Sequence, residues 1–137
     1  MTSLADHALA IQNVKAGYCA AADLSASDPA KAKLLMADIF TEDFVGDYGF
    51  DPLKGANAII DFLCFAISSK SEWVLHALHS PRIEVSGDRA TGDWTVVAHM
   101  KRKEGGAVDT VMGRYSDTFR LTPNGWRLAE VMFSRLQ

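Results

Sequence analysis

The feature that most constrains the fold is a change of hydrophobic period near residue 72. Before this point apolar residues recur at helical spacing, and after it apolar and polar residues alternate as they do in strands. The first helical stripe consists of Leu4, Ala8, Ile11, Val14, Tyr18 and Ala21. We predict helices over 3–22, from Pro29 onward and over 56–69, and strands over 73–86, 89–103, 108–122 and 125–135. Helices followed by a strand meander predict an antiparallel α+β domain rather than alternating βαβ units.

Two local signals refine the helical half. Asp28 followed by Pro29 is typical of a helix start, with the aspartate as N-cap and proline at the first helical position. Between the second and third helices, Phe44, Tyr48 and Phe50 share one face at strand spacing, which predicts a further strand.

Size and charge narrow the class of protein. The chain of 137 residues is predicted to form one domain over 1–137. Its formal net charge of -3 argues against nucleic-acid and anionic-membrane partners, which need a basic surface. No apolar run is long enough to span a membrane, and the first residues lack the pattern of a signal peptide. Together with Cys19 and Cys64, interpreted as core thiols, this predicts a cytoplasmic protein.

No metal or cofactor is expected from the residue pattern. The four histidines are dispersed, and none shares ligand spacing with a carboxylate. A glycine-rich phosphate loop is also absent from the sequence.

The strand from Ala90 to Lys101 has the clearest alternation. Trp94, Val96 and Met100 belong to the apolar face, which we expect to pack against the helices. The opposite face is polar but weakly charged, which suits a homodimer or homotrimer formed through the sheet. The preceding strand, 73–79, carries apolar residues on both faces apart from His76 and His79, so we expect both faces to be buried.

Three carboxylates deserve separate interpretation. Asp117 shares a face with Tyr115, and Glu130 with Trp126, so each stands on an otherwise apolar face. Either could line a pocket, or could pair at a sheet edge with Arg114, Arg120 or Arg127. Asp23 follows an alanine-rich helix end, and a helical wheel places it in solvent.

In order and spacing, the sequence resembles the SnoaL-like families of the cystatin-like α+β cone fold, which is the fold of nuclear transport factor two. Within them it is most similar to the branch that contains scytalone dehydratase and hexachlorocyclohexane dehydrochlorinase. The resemblance covers about residues 7–135. It rests on segments 11–23, 39–43, 47–49, 55–59, 76–83, 87–92, 113–117 and 124–128. It implies three helices on a strongly curved, mainly antiparallel sheet that forms a cone around an apolar pocket.

The resemblance also implies roles for particular residues. Asp23 and His76 match the catalytic aspartate and histidine of that branch, which implies that the helix breaks at Asp23. Tyr48 matches a tyrosine that helps bind substrate oxygen, and Asp117 falls near a substrate-binding serine. Met100 stands where the dehydratase has its second catalytic histidine. We further predict that the substrate pocket is lined by Tyr18, Phe44, Trp94, Met100, Tyr115 and Asp117.

Three functions stay open at this point. The first is a cofactor-free lyase or isomerase acting on a small hydrophobic cyclic molecule, with His76 as base, Asp23 as its partner and Tyr48 as hydrogen-bond donor. The second is a non-catalytic binding domain for such a molecule, and the third is an assembly subunit. An Asp23 carboxylate within roughly 3 Å of a His76 nitrogen would favour catalysis, and a filled interior would favour assembly.

Overall fold

The computed structural model describes residues 2–136. The first helix, α1 (Leu4–Leu24), starts at Ser3, whose hydroxyl accepts from the Asp6 backbone while the Asp6 carboxylate accepts from the Ser3 backbone. This reciprocal pair is a capping box. The second, α2 (Pro29–Met36), has Asp28 as its N-cap, as predicted. The third, α3 (Ala56–Asp61), is shorter than predicted because the chain continues as a π-helical segment, Phe62–Ile67.

Six strands form the sheet: β1 (Phe40–Asp47), β2 (Leu53–Lys54), β3 (Ser71–Ser86), β4 (Arg89–Arg102), β5 (Val108–Thr122) and β6 (Gly125–Arg135). Their order is β2-β1-β6-β5-β4-β3, and all neighbours are antiparallel except β1 and β6. The bounds of β3 to β6 agree with the prediction to within two residues. The strand predicted at 44–50 starts earlier, at Phe40, and ends before Tyr48, and β2 was not anticipated.

One face of the curved sheet packs against the helices and encloses the core. The buried set includes Ile11, Tyr18 and Ala22 of α1, Phe40 and Phe44 of β1, and Trp94, Val96, Phe119 and Leu128 of the central strands. The predicted inward face of β4 is confirmed, since Ala90, Trp94, Val96 and Ala98 are all buried. The α+β architecture with helices on a curved sheet is therefore confirmed.

The outer face of the sheet corrects two predictions. Within the single chain, the face of β3 that carries His79 is open, and Trp73 and Leu75 are exposed. The prediction that residues 73–79 are buried on both faces is therefore wrong for one chain. The outer face is also less polar than predicted, because Val97 pairs with Ala77 on one side and with the exposed Met112 on the other. Association of copies through this face stays a prediction.

No helix within residues 2–136 has the length and apolar character needed to cross a membrane. A cytoplasmic location stays a prediction.

Candidate active site

A cavity of about 210 Å³ lies between the π-helical segment, α1 and the inner face of the sheet. Its lining consists of Tyr18, Tyr48, Phe62, Leu63, Ile67, His76, Val96, Ala98, Met100, Val111, Tyr115 and Phe133. The polar side chains in this set are one imidazole and three phenols, and the set includes no carboxylate, ammonium or guanidinium group. Such a site suits a compact apolar molecule that presents one or two polar atoms.

His76 and Asp23 meet at the edge of this cavity. The Asp23 Oδ1 atom lies 2.6 Å from His76 Nδ1, and both carboxylate oxygens accept from the His76 backbone N–H, at 3.1 and 3.2 Å. The side chains keep 11% exposure for His76 and 22% for Asp23. Because Nδ1 is engaged by the carboxylate, Nε2 is the ring nitrogen left to exchange a proton with a bound molecule.

Asp23 reaches His76 from an unbroken helix, which corrects both expectations for this residue. Helix α1 runs through Leu24, and Asp23 lies one turn beyond the buried Cys19 on the side that packs against β3. A carboxylate in the last turn of a helix is unfavourable, because the helix dipole is negative there and the last turn carries no basic residue. The hydrogen bonds from His76 compensate for this placement.

Two tyrosines form the polar part of the cavity wall. The hydroxyl groups of Tyr18 and Tyr48 lie 2.7 Å apart, and one donates to the other. Burial raises the pKa of both phenols above the ordinary tyrosine value, so both are neutral donors near pH 7. Phe50 and Phe62 pack against the Tyr48 ring, with centroids 6.2 and 5.6 Å away. This aromatic stack holds the hydroxyl in place.

Gly113 makes room for the opposite wall. A Cβ atom at this position would lie 2.6 Å from the Phe133 ring and 2.5 Å from the Ser134 carbonyl oxygen. The missing side chain therefore lets the Phe133 ring lie over Gly113, where it also contacts its cross-strand neighbour Tyr115, with centroids 5.5 Å apart. Phe133 and the π-helical residues Phe62, Leu63 and Ile67 were not predicted in the wall. A π-helical turn is itself frequent at functional sites.

The structure separates the predicted residues into two groups. His76, Tyr18, Tyr48, Met100 and Tyr115 line the cavity, and Asp23 stands directly behind His76.

Phe44, Trp94 and Asp117 do not line it, which corrects the predicted pocket. Phe44 packs in the core against Phe40, with centroids 4.8 Å apart, and Trp94 packs against Phe119. The carboxylate of Asp117 is turned to a buried lysine.

That lysine, Lys15, was missed by the sequence reasoning. Its Nζ lies 2.8 Å from Asp117 Oδ2, and neither side chain has any exposed surface. The alternative partners Arg114, Arg120 and Arg127 proposed for Asp117 are therefore wrong. Burial raises the pKa of Asp117 to about 6, although Lys15 lowers it. The available signal was position, since Lys15 lies one turn after Ile11 and one turn before Tyr18, on the buried stripe of α1.

Within residues 2–136 no three histidine, cysteine, aspartate or glutamate side chains are grouped to hold a metal ion. Cys19 and Cys64 are buried free thiols, and burial raises the pKa of Cys19 to about 12, which makes it a poor nucleophile.

Comparison with known proteins gives one family match and many structural ones. The SnoaL-like domain family matches residues 3–132. No curated protein sequence matches the chain. Among solved structures, a Novosphingobium aromaticivorans protein provisionally assigned as an aromatic ring hydroxylase is 29% identical, with a TM-score of 0.85 over 98% of this chain and 92% of its own.

Two further structures are similar in fold. A protein of the same organism, provisionally assigned as a scytalone dehydratase, is 19% identical, with a TM-score of 0.80 over 94% of this chain and 83% of its own. The hexachlorocyclohexane dehydrochlorinase LinA-type3 of Novosphingobium barchaimii is 18% identical, with a TM-score of 0.80 over 94% of this chain and 86% of its own. The fold is that of nuclear transport factor 2-like proteins.

Proposed function

Because the chain belongs to the SnoaL-like domain family, we propose that it is a cofactor-free lyase or isomerase acting on a small hydrophobic cyclic molecule. The observation that carries the proposal is the 2.6 Å contact between Asp23 and His76 at the cavity edge. The similarity in fold to a protein provisionally assigned as a dehydratase, and to a dehydrochlorinase, is consistent with this chemistry.

In the proposed reaction His76 Nε2 removes a proton from a carbon atom of the substrate. Asp23, bonded to Nδ1, fixes the tautomer of the neutral ring and stabilises the imidazolium that forms. The electron pair of the broken C–H bond expels a leaving group in a lyase, or moves through a carbonyl group in an isomerase. The imidazolium then returns the proton to the leaving group or to another carbon.

The Tyr18–Tyr48 pair supplies the second half of the proposed mechanism. When Tyr18 donates to Tyr48, the Tyr48 hydroxyl is free to donate to a substrate oxygen that gains negative charge. The apolar remainder of the wall excludes water and strengthens this hydrogen bond. Asp117 takes no part as a donor in this scheme, because it pairs with Lys15.

Exchange of a carbon-bound proton tests the proposal without knowledge of the natural substrate. Cyclic ketones that raise the melting temperature would be incubated with the protein in D₂O, and loss of the α-proton signal would be followed by NMR. We expect wild-type protein to speed the exchange. His76→Gln should slow it by roughly 10²- to 10⁴-fold, the usual contribution of a general base. Asp23→Asn should give a rate between the two.

His79→Gln is the matched control, because His79 lies on the same strand but on the open face of the sheet. Its exchange rate should equal that of wild type. Circular dichroism and melting temperature must accompany Asp23→Asn, since Asp23 also holds the His76 backbone. Ligand binding without exchange in wild type, or unchanged exchange in His76→Gln, would contradict catalysis and favour a binding domain.

A further inference from the structure

The buried pair Lys15–Asp117 has no role in the reaction proposed above, yet removing two charged groups from water costs considerable free energy. Both side chains have 0% exposure, and the only polar contact between them is the 2.8 Å ion pair. Lys15 Nζ and both Asp117 oxygens have no further hydrogen-bond partner among residues 2–136. An ion pair so poorly satisfied is commonly no more stable than apolar residues of the same volume. Its presence therefore calls for an explanation other than stability.

The position of the ammonium group supplies one. Lys15 Nζ lies 3.5 Å from the centroid of the Tyr115 ring and 4.1 Å from that of Tyr18. Both rings line the cavity, but Lys15 does not, so the two phenol rings stand at the boundary between the cation and any bound molecule. The cation thus lies directly behind these two rings, without contact to the cavity itself.

A cation against the face of a phenol ring favours withdrawal of electrons from its oxygen and makes the hydroxyl a stronger donor. Tyr18 is hydrogen-bonded to Tyr48, and polarisation passes along a chain of hydrogen bonds. The field of Lys15 therefore reaches the Tyr48 hydroxyl, which in the proposed reaction donates to a substrate oxygen. The charge of Asp117 acts in the opposite direction, but the ammonium is the member of the pair in contact with the rings.

We propose that Lys15 is a positioning residue, anchored by Asp117 behind Tyr18 and Tyr115, whose charge strengthens the tyrosine donors toward an oxyanion in the cavity. This inference rests on the proposed function and narrows its substrate class to molecules that form an enolate, such as cyclic ketones and hydroxyketones. A haloalkane, whose elimination develops no charge on oxygen, would gain nothing from this arrangement.

The test uses 4-nitrophenol, a single-ring probe whose phenolate absorbs in the visible range and whose phenol does not. The bound probe would be titrated in a His76→Gln background, so that the imidazole cannot take its proton. The readout is the ratio of affinities for nitrophenolate and nitrophenol, which reports how well the donors stabilise an oxyanion. It needs no turnover, so it can fail or succeed independently of the exchange assay.

Variants at the two positions should both lower this ratio. Lys15→Met should lower the relative affinity for nitrophenolate roughly tenfold, because a charge is lost near the oxyanion. Asp117→Asn should lower it too, because a buried cation is not maintained without its partner. A purely structural role would weaken the binding of nitrophenol and nitrophenolate alike, and it predicts an unchanged ratio in both variants.

The double variant Lys15→Met/Asp117→Asn keeps the proposal testable if the single variants fold poorly, since it leaves no unpaired charge. Its relative affinity for nitrophenolate should fall below that of the His76→Gln protein that carries neither substitution. An equal ratio in these two proteins, or a ratio that Lys15→Met leaves unchanged, would overturn the proposal. A His76→Gln protein that binds the probe without changing its absorbance would overturn it too, because no donor would then reach an oxyanion.

Discussion

Replacing Lys15 by methionine should make the free energy of unfolding fall as the pH rises from about 6 to about 8. In the wild type, the contribution of Asp117 to this free energy is constant over the same range. In the wild type, burial raises the pKa of Asp117 from 3.8 to about 6, with Asp93 adding to the rise and Lys15 opposing it. The folded state therefore holds the Asp117 proton to higher pH than the unfolded state. This residue's contribution to the free energy of unfolding declines between about pH 4 and 6 and is constant above that.

Without Lys15 the opposing charge is gone, and the pKa of Asp117 rises further. The decline then continues above pH 6, at about 1.4 kcal/mol for each pH unit, until the new pKa is reached. Between pH 6 and 8 the variant should lose up to about 3 kcal/mol relative to the wild type. The change in packing from lysine to methionine adds a constant amount to the free energy of unfolding. It does not affect how steeply this free energy declines with pH.

Urea unfolding followed by tryptophan fluorescence at pH 5, 6, 7 and 8 measures the difference. Lys33→Met is the matched control, because Lys33 lies 3.9 Å from Asp61 with both side chains more than half exposed, at 57% and 58%. Its difference from wild type should stay within about 0.5 kcal/mol at every pH. If plots of the free energy of unfolding against pH run parallel for Lys15→Met and wild type, the reasoning is refuted. Asp117 would then not depend on Lys15 for its charge.

Three further predictions address the wall, the donor and the outer face. Gly113→Ala should lower the free energy of unfolding by about 1–3 kcal/mol through overpacking, whereas Gly17→Ala, whose Cβ would meet nothing nearer than 3.9 Å, should not destabilise α1 in the same urea measurement. Tyr48→Phe should reduce exchange of ketone α-protons while the melting temperature stays close to that of wild type; undiminished exchange would exclude the hydroxyl as donor. Leu75→Glu, at a side chain with 54% exposure, should convert a sheet-mediated oligomer to monomer in analytical ultracentrifugation, and an unchanged oligomer mass would place the contact elsewhere.

The strands were predictable because alternation is a local property of the sequence. It gives the face on which a residue lies, but not the position of the cavity along that face. On β4, Val96, Ala98 and Met100 line the cavity, whereas Trp94 of the same face packs in the core against Phe119. The wrong assignment of Trp94 follows directly from this limit. The extra residues of a π-helical turn are likewise invisible to a pattern that assumes 3.6 residues per turn.

The site was harder to predict, because it depends on contacts between distant parts of the chain that the spacing of residues in the sequence does not report. Asp23 looked exposed on a helical wheel because the wheel does not show that β3 packs beside the end of α1. Asp117 was correctly singled out as a carboxylate on an apolar face, but its partner was sought among nearby arginines. Lys15 precedes Asp117 by most of the chain, and only the fold brings the two together.

The two polar pairs, His76–Asp23 and Lys15–Asp117, differ in exposure, and this difference assigns them different roles. His76 and Asp23 keep 11% and 22% exposure, and His76 lines the cavity, so this pair can exchange protons with a bound molecule and with solvent. Lys15 and Asp117 have none, and Lys15 meets the cavity through the faces of two rings. Because neither side chain lines the cavity, this pair cannot contact a bound molecule as its acid or base. It can act through its electric field, which a low-dielectric interior weakens least. If both pairs serve the reaction, the Asp23–His76 pair therefore moves the proton. The Lys15–Asp117 pair then favours the negative charge that remains on the substrate.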